Sequence, residues 1–152
     1  MTTHPTLAQL LDESSIVLDA TATDVDDAIR QAGAALVATG AVEPAYVDAM
    51  LERERTVSTY VGEAVAVPHG TLAAKGMVRR NALVLLRFAD PVEWNGNDVA
   101  LVIGLAAVGR GHIGLLSRIA GLLLEPARAA ALISATHPSE VYQALSAGEP
   151  TP

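Results

Sequence analysis

The uninterrupted apolar run from Val99 to Val108 is the feature that most constrains the fold of this chain. It is about half as long as the ~20 residues that a membrane-spanning helix needs. The part from Val99 to Ala106 is typical of a buried strand. The pair Asn95-Gly96 just before it is a strong hairpin signal, which predicts that this strand turns back onto Val92–Trp94. The run therefore predicts a buried hairpin and not a membrane span.

The rest of the chain alternates between strand-like and helix-like segments. Apolar residues recur at helical spacing from Asp24 to Thr39, with Thr23 as a capping residue and Gly40 just beyond the end. The remaining predicted strands are Ile16–Leu18, Ala64–Val67 and Asn81–Phe88, and the remaining predicted helices run from Pro44 toward Arg55, over Ile113–Leu124, after Pro126 and after Pro138.

This alternation predicts an α/β fold. No repeat or linker divides the chain, so residues 1–152 should form a single domain with a disordered tail at about 148–152. We expect a central sheet of about five strands flanked by helices on both faces, and the hairpin makes that sheet mixed.

Composition excludes several classes of function. The net charge of −7 works against binding to the phosphate backbone of nucleic acid. There is no cysteine, so any covalent chemistry must use another kind of side chain. The N-terminus lacks a signal-peptide pattern, and we expect a cytoplasmic protein with no direct membrane insertion.

A histidine ends one of the apolar strands, in the segment Val67-Pro68-His69-Gly70. Pro68 restricts the approach to this residue and Gly70 places no Cβ beside the ring, so we expect the imidazole of His69 to face solvent or a partner. In open α/β sheets the strand end is the usual position for a ligand. A turn residue without chemistry is the alternative, and the pattern alone leaves both open.

Further polar residues could complete a site for phosphoryl chemistry. His112 also follows an apolar strand; if the two histidines converge, neutral His69 could act as nucleophile while His112 donates to a phosphoryl oxygen. Arg53 offers a planar fork for phosphate oxygens, and the hydroxyls of Ser58 and Thr59 could add hydrogen bonds. Arg53 also suits the C-terminal end of a helix without any function.

Two other kinds of site are disfavoured. The motif Gly109-x-Gly111-x-x-Gly114 has the spacing of a dinucleotide-binding loop, but no second strand with an acidic end follows it. The four histidines lack the spacing of a metal site; they are His4, His69, His112 and His137. We expect neither a metal nor an organic cofactor.

The chain resembles the mannitol-type IIA domain of the bacterial phosphoenolpyruvate-dependent sugar phosphotransferase system. The segments that carry the resemblance are Val42–Glu54, Tyr60–Glu63, Ala66–Thr71, Leu101–Ala107 and His112-Ile113. The resemblance implies a mixed sheet flanked by helices and a phosphotransferase component without a cofactor. It also implies that His69 takes a phosphoryl group from the phosphohistidine of the carrier HPr and gives it to a cysteine of a IIB domain.

By the same resemblance, His112 supports the phosphoryl group and Arg53 is an active-site arginine. The residues just before His112, Gly109-Arg110-Gly111, depart from the acidic approach expected in the family and predict a more flexible loop. Fructose-type and nitrogen-regulatory relatives share the Pro-His-Gly core. The alternative function is therefore a regulatory module whose phosphorylation state controls a binding partner.

Overall fold

A computed structural model describes residues 6–146, and the predicted disordered tail lies outside this range. Within it the strands are β1 (Leu11–Ala20), β2 (Tyr60–Gly62), β3 (Val65–Ala66), β4 (Ala82–Trp94) and β5 (Asn97–Ala106). The α-helices are α1 (Val25–Ala38), α2 (Tyr46–Thr56), α3 (Gly111–Leu123), α4 (Pro126–Ser134) and α5 (Pro138–Ser146). Two 3-10 helices, Ala8–Leu10 and Leu72–Met77, complete the described elements.

The strands form one five-stranded sheet in the order β1-β4-β5-β3-β2. β1 is parallel to β4 and β3 is parallel to β5, whereas β4–β5 and β2–β3 are antiparallel pairs. The predicted α/β class and the mixed five-stranded sheet are therefore confirmed.

Helices cover both faces of this sheet, as predicted. Along β4, Val84 and Leu86 belong to the core shared with α1 and α2, while Leu83 and Leu85 belong to the core shared with α3, α4 and α5. Side chains of a strand alternate between its two faces, so a continuously apolar strand requires cover on both sides. Among the described residues, no helix is both long enough and apolar enough to cross a membrane.

The β4–β5 hairpin forms at the predicted turn. Asn95 and Gly96 both have positive φ, 53° and 91°, and Trp94 pairs with Asn97 across the turn. The two strand segments predicted on its first arm are one strand, β4, whose register shifts between Arg87 and Val92. This irregularity accommodates Pro91, which has no N–H to give to a ladder.

Two predicted boundaries are wrong, and one strand was not predicted. β1 extends well beyond Ile16–Leu18, because an edge strand with irregular register tolerates exposed polar residues that hide its alternation. α2 begins at Tyr46, since Pro44 lies in a turn in which the Tyr46 N–H donates to the Glu43 carbonyl at 2.9 Å. The short strand β2 lacks an alternating pattern and was not predicted.

The first helix is capped differently from the prediction. Asp24, and not Thr23, is the N-cap: its Oδ1 accepts from the Asp27 N–H at 2.8 Å. Thr23 donates its backbone N–H to Asp27 Oδ2 at 2.9 Å, which satisfies a second donor at the same helix start. Gly40 lies just past the helix with a φ of 79°, as expected for a residue that ends a helix.

Candidate active site

The candidate site lies at the edge of the sheet where β3 and β5 end. These strands are parallel neighbours, with Val65 paired to Leu101 and Ala66 to Val102. The pairing continues past β3, because the Leu105 N–H donates to the Pro68 carbonyl at 3.0 Å. Parallel strands end at the same edge, so the residues that follow β3 and β5 come together there.

The structure brings His69 and His112 together at this edge, a convergence that the sequence left open. Their ring centroids are 6.0 Å apart and the ring planes differ by 24°. His69 follows β3 directly, whereas His112 lies in the first turn of α3. A group between the two rings could therefore contact both.

One hydrogen bond orients the His69 ring. Its Nδ1 lies 2.9 Å from the carbonyl oxygen of Val67. A carbonyl oxygen only accepts, so in this contact Nδ1 carries the proton and the lone pair of the neutral ring is on Nε2. Nε2 is thus the nitrogen that can attack an electrophile.

The expectation was that His69 faces solvent or a partner; the part about solvent is wrong, because the residue is only 5% exposed. The ring bends back toward the Val67 carbonyl and stands beside His112. Burial lowers the pKa of His69 below its usual value, and the nearby charges of Arg53 and His112 lower this pKa further. The Val67 hydrogen bond and the charge of Glu54 act in the opposite direction. The net shift favours the neutral, nucleophilic ring.

Tyr46 supports the backbone next to His69. Its hydroxyl accepts from the Gly70 N–H at 2.8 Å and lies 3.1 Å from the Leu105 carbonyl, to which it donates. A Cβ on residue 70 would come within 2.5 Å of Tyr46 Cε1, so glycine is required by this close approach. Burial raises the pKa of the Tyr46 phenol, which keeps the donating proton in place. Sequence reasoning did not identify this residue.

Arg53 lies at the end of α2, close enough to His69 for its charge to lower the pKa of that ring. Its Nη1 donates to the Val57 carbonyl at 2.7 Å, just beyond the helix. The guanidinium therefore holds the loop after α2 through one nitrogen, and within residues 6–146 no acceptor is seen for its other N–H groups, which could bind a ligand. The two interpretations of Arg53, helix end and site residue, are compatible.

The hydroxyls of Ser58 and Thr59 have different surroundings. Thr59 Oγ1 donates to Glu54 Oε2 at 2.5 Å, so its single hydroxyl proton already has an acceptor and is not available to a phosphoryl oxygen. Ser58 Oγ accepts from the Tyr60 N–H at 3.2 Å, and within residues 6–146 no acceptor is seen for its own proton. These contacts favour Ser58 over Thr59 as a hydrogen-bond donor to a phosphoryl oxygen.

Glu54 is a buried carboxylate that sequence reasoning did not identify as a site or core residue. It is 9% exposed and accepts from the Thr59 N–H, the Thr59 hydroxyl and the indole Nε1 of Trp94. Trp94 is fully buried, and a buried indole N–H requires an acceptor. The tryptophan was thus the sequence signal that a polar partner had to lie inside the core.

A surface depression is lined by His112 and by Gly70, the residue that follows His69. Its lining residues are Tyr46, Gly70, Thr71, Leu72, Lys75, Val78, Ala107, Gly109 and His112. Exposed Lys75 contributes a positive charge from a 3-10 helix that the sequence did not predict. Among the described residues, no group of three or more His, Asp or Glu side chains is placed to hold a metal ion.

The dinucleotide motif does not have the context that such a site needs. Gly109 precedes α3 with a φ of 62°, and Gly111 begins that helix. Within residues 6–146 only α4 and α5 follow, so no strand completes a βαβ unit there. The structure therefore supports the sequence argument against nucleotide binding.

Comparison with known proteins agrees with this geometry. The family model for the "Phosphoenolpyruvate-dependent sugar phosphotransferase system, EIIA 2" matches residues 9–148. The mannitol-specific phosphotransferase enzyme IIA component of Halalkalibacterium halodurans is 42% identical over 136 residues, which cover 90% of this chain and 94% of the relative.

Solved structures show the same fold. An Escherichia coli structure of the complex of enzyme IIA and phosphorylated enzyme IIB of the mannitol system matches with a TM-score of 0.84, 35% identity and coverage of 91% of this chain and 99% of that chain. The nitrogen regulatory protein IIA-Ntr of Neisseria meningitidis matches with a TM-score of 0.80, 27% identity and coverage of 91% and 98%. The chain belongs to the EIIA 2 family of the phosphoenolpyruvate-dependent sugar phosphotransferase system.

Proposed function

We propose that this protein carries a phosphoryl group on Nε2 of His69, taking it from the phosphohistidine of HPr and giving it to a cysteine of a IIB domain. The observation that carries this proposal is the hydrogen bond from His69 Nδ1 to the Val67 carbonyl, which leaves the lone pair on Nε2. In the accepting step a bond forms between Nε2 and phosphorus while the bond between phosphorus and the donor nitrogen breaks. In the second step a bond forms between the cysteine sulfur and phosphorus, and the bond between phosphorus and Nε2 breaks.

The surroundings of His69 suit this transfer. When Nε2 bonds to phosphorus the ring becomes cationic, and the Val67 carbonyl stabilises the proton that stays on Nδ1. Arg53 and His112 supply donors for the phosphoryl oxygens, and Ser58 adds a hydroxyl. Phosphoryl transfer mainly needs positioning and positive electrostatics, so no separate general base is required.

Mannitol is the sugar system that the comparisons favour. The H. halodurans and E. coli mannitol proteins described above are 42% and 35% identical to this chain, against 27% for the nitrogen regulatory protein. The E. coli complex pairs a IIA with a phosphorylated IIB, which supports a IIB domain of a membrane sugar permease as acceptor. The cytoplasm is the location that we propose for this transfer. The regulatory module remains the second candidate.

The test is phosphorylation in a reconstituted system. The protein is incubated with phosphoenolpyruvate, enzyme I and HPr, then analysed by intact mass and by peptide mapping under alkaline conditions that preserve phosphohistidine. One phosphate on His69 is expected, with none on His69→Ala and wild-type labelling of His137→Ala. Labelling of His69→Ala would contradict the assignment. Transfer to a mannitol-type IIB, but not to other IIB domains, would distinguish transport from regulation.

A further inference from the structure

The buried carboxylate of Glu54 has no direct part in the proposed transfer. It is one residue from Arg53 in sequence, but the protein interior encloses it. Three donors point at it: the Trp94 indole at 2.6 Å from Oε1, and the Thr59 hydroxyl and N–H at 2.5 and 3.0 Å from Oε2. An ionised carboxylate is an acceptor only, so it satisfies all three.

A continuous series of hydrogen bonds leads from this carboxylate to the reactive ring. Glu54 holds Thr59 by its N–H and its hydroxyl. The Thr59 carbonyl accepts from the Val67 N–H at 3.0 Å, and the Val67 carbonyl accepts from His69 Nδ1 at 2.9 Å. The backbone that orients the His69 ring is therefore held by the loop that Glu54 anchors to the β4–β5 hairpin.

We propose that Glu54 is a positioning residue for His69, which acts through Thr59 and Val67 to hold the imidazole with its proton on Nδ1 and its lone pair on Nε2. This role rests on the proposed function of His69 as phosphoryl acceptor. The carboxylate offers acceptors at both oxygens, whereas an amide offers only one. In Glu54→Gln the NH₂ group faces either the Trp94 indole N–H or the shorter contact of the Thr59 N–H, so in both orientations the tie between Thr59 and the hairpin loses an acceptor.

The direct readout is the tautomer of His69, observed in ¹⁵N-labelled protein by the ring-nitrogen chemical shifts above the ring pKa. Wild type should show the proton on Nδ1. In Glu54→Gln the population of the tautomer with the proton on Nε2 should rise about fivefold, which corresponds to the loss of about one hydrogen bond. Phosphorylation by HPr should slow about tenfold or more, because a misoriented nucleophile attacks poorly. Glu52→Gln removes an exposed carboxylate from the same helix and should behave as wild type.

A Glu54→Gln protein that folds, with a wild-type His69 tautomer and a wild-type phosphorylation rate, would overturn the proposal. A merely structural role would lower stability without moving the tautomer, which would overturn it as well. If Glu54→Gln does not fold, Thr59→Val decides: removal of the hydroxyl donor should shift the tautomer in the same direction, and Thr59→Ser should restore it. An unshifted Thr59→Val would reject the role.

These measurements also separate this proposal from the proposed function. The tautomer is recorded without any phosphoryl donor. A wild-type protein that takes no phosphate from charged HPr would reject the carrier function, whatever the tautomer shows. Phosphate on wild-type His69 with an unchanged tautomer in the variants would reject only the role of Glu54.

Discussion

At the scale of single residues, the proposed chemistry depends on a few nitrogen atoms around His69. Its Nδ1 is bonded to the Val67 carbonyl, and burial keeps the ring neutral near pH 7. Arg53 adds a cation whose guanidinium already donates to the Val57 carbonyl. The planar fork allows that arginine to hold the loop and to bind a phosphoryl oxygen at the same time.

For this reason Arg53→Lys should impair transfer although the charge is retained. A lysine ammonium cannot present the same rigid fork, so either the Val57 carbonyl or the phosphoryl group loses its donor. We expect the rate of phosphorylation to fall about tenfold or more, equivalent to the ~1.5–3 kcal/mol of one hydrogen bond to a charged group. Rapid-quench kinetics with labelled HPr measure it, and Arg55→Lys, an exposed position on the same helix end, is the control. Wild-type kinetics for Arg53→Lys would show that Arg53 has only a structural role at the end of α2.

At the scale of elements, the loop between β5 and α3 determines where His112 lies. Asn81, just before β4, accepts from the Val108 N–H through its Oδ1 at 2.7 Å. Because Ala82 pairs with Ala106, the start of β4 lies beside the end of β5 and the asparagine reaches the loop directly. This hydrogen bond holds Val108, the residue before the segment Gly109-Arg110-Gly111. The predicted flexibility of that segment stays a prediction.

Removal of this contact should loosen the loop. In Asn81→Leu the Val108 N–H loses its protein acceptor, and its hydrogen exchange should accelerate about fivefold to tenfold, as expected for ~1 kcal/mol. Asn81→Asp keeps an oxygen acceptor and should exchange slowly, like wild type. Exchange followed by NMR gives both rates. Equal rates in the two variants would show that the asparagine does not hold the loop.

At the scale of the whole molecule, the burial of His69 links stability to pH. Folding lowers the pKa of His69, so between its unfolded value of about 6.5 and the lower folded value the unfolded chain binds more protons. This contribution to the free energy of unfolding is complete above about pH 6.5 and is lost as the pH falls through that window. The molecule should therefore lose stability on mild acidification before its carboxylates titrate.

The variant His69→Gln should show a smaller loss. Urea unfolding at about pH 7.5 and about pH 5.5 gives the free energy of unfolding for each protein, and the wild type should fall further between these values. His137→Gln, at an exposed histidine, is the matched control. An identical fall for wild type and His69→Gln would show that the buried ring does not make this contribution.

Local signals predicted a large part of the fold and the centre of the site. The Asn95-Gly96 turn, the amphipathic α1 and the His69 between Pro68 and Gly70 are all encoded by neighbouring residues. Prediction was poorer where local pattern is weak, as in the edge strand β1 and the short β2. It also failed for Glu54, because a charged residue within a polar helix end carries no sign of a buried partner forty residues away.

The sequence by itself determined the α/β class and the hairpin, because both depend on short-range backbone preferences and periodicity. It also predicted His69 as the reactive histidine, through the Pro-His-Gly segment and the family resemblance, and this stays a prediction. Only the tertiary structure decided the 6.0 Å approach of His69 to His112, the burial of His69 and the anchoring of Thr59 by Glu54. These depend on the parallel pairing of β3 with β5 and on the packing of the β4–β5 hairpin against α2. Such long-range contacts arise from the whole core, and no local stretch of residues specifies them.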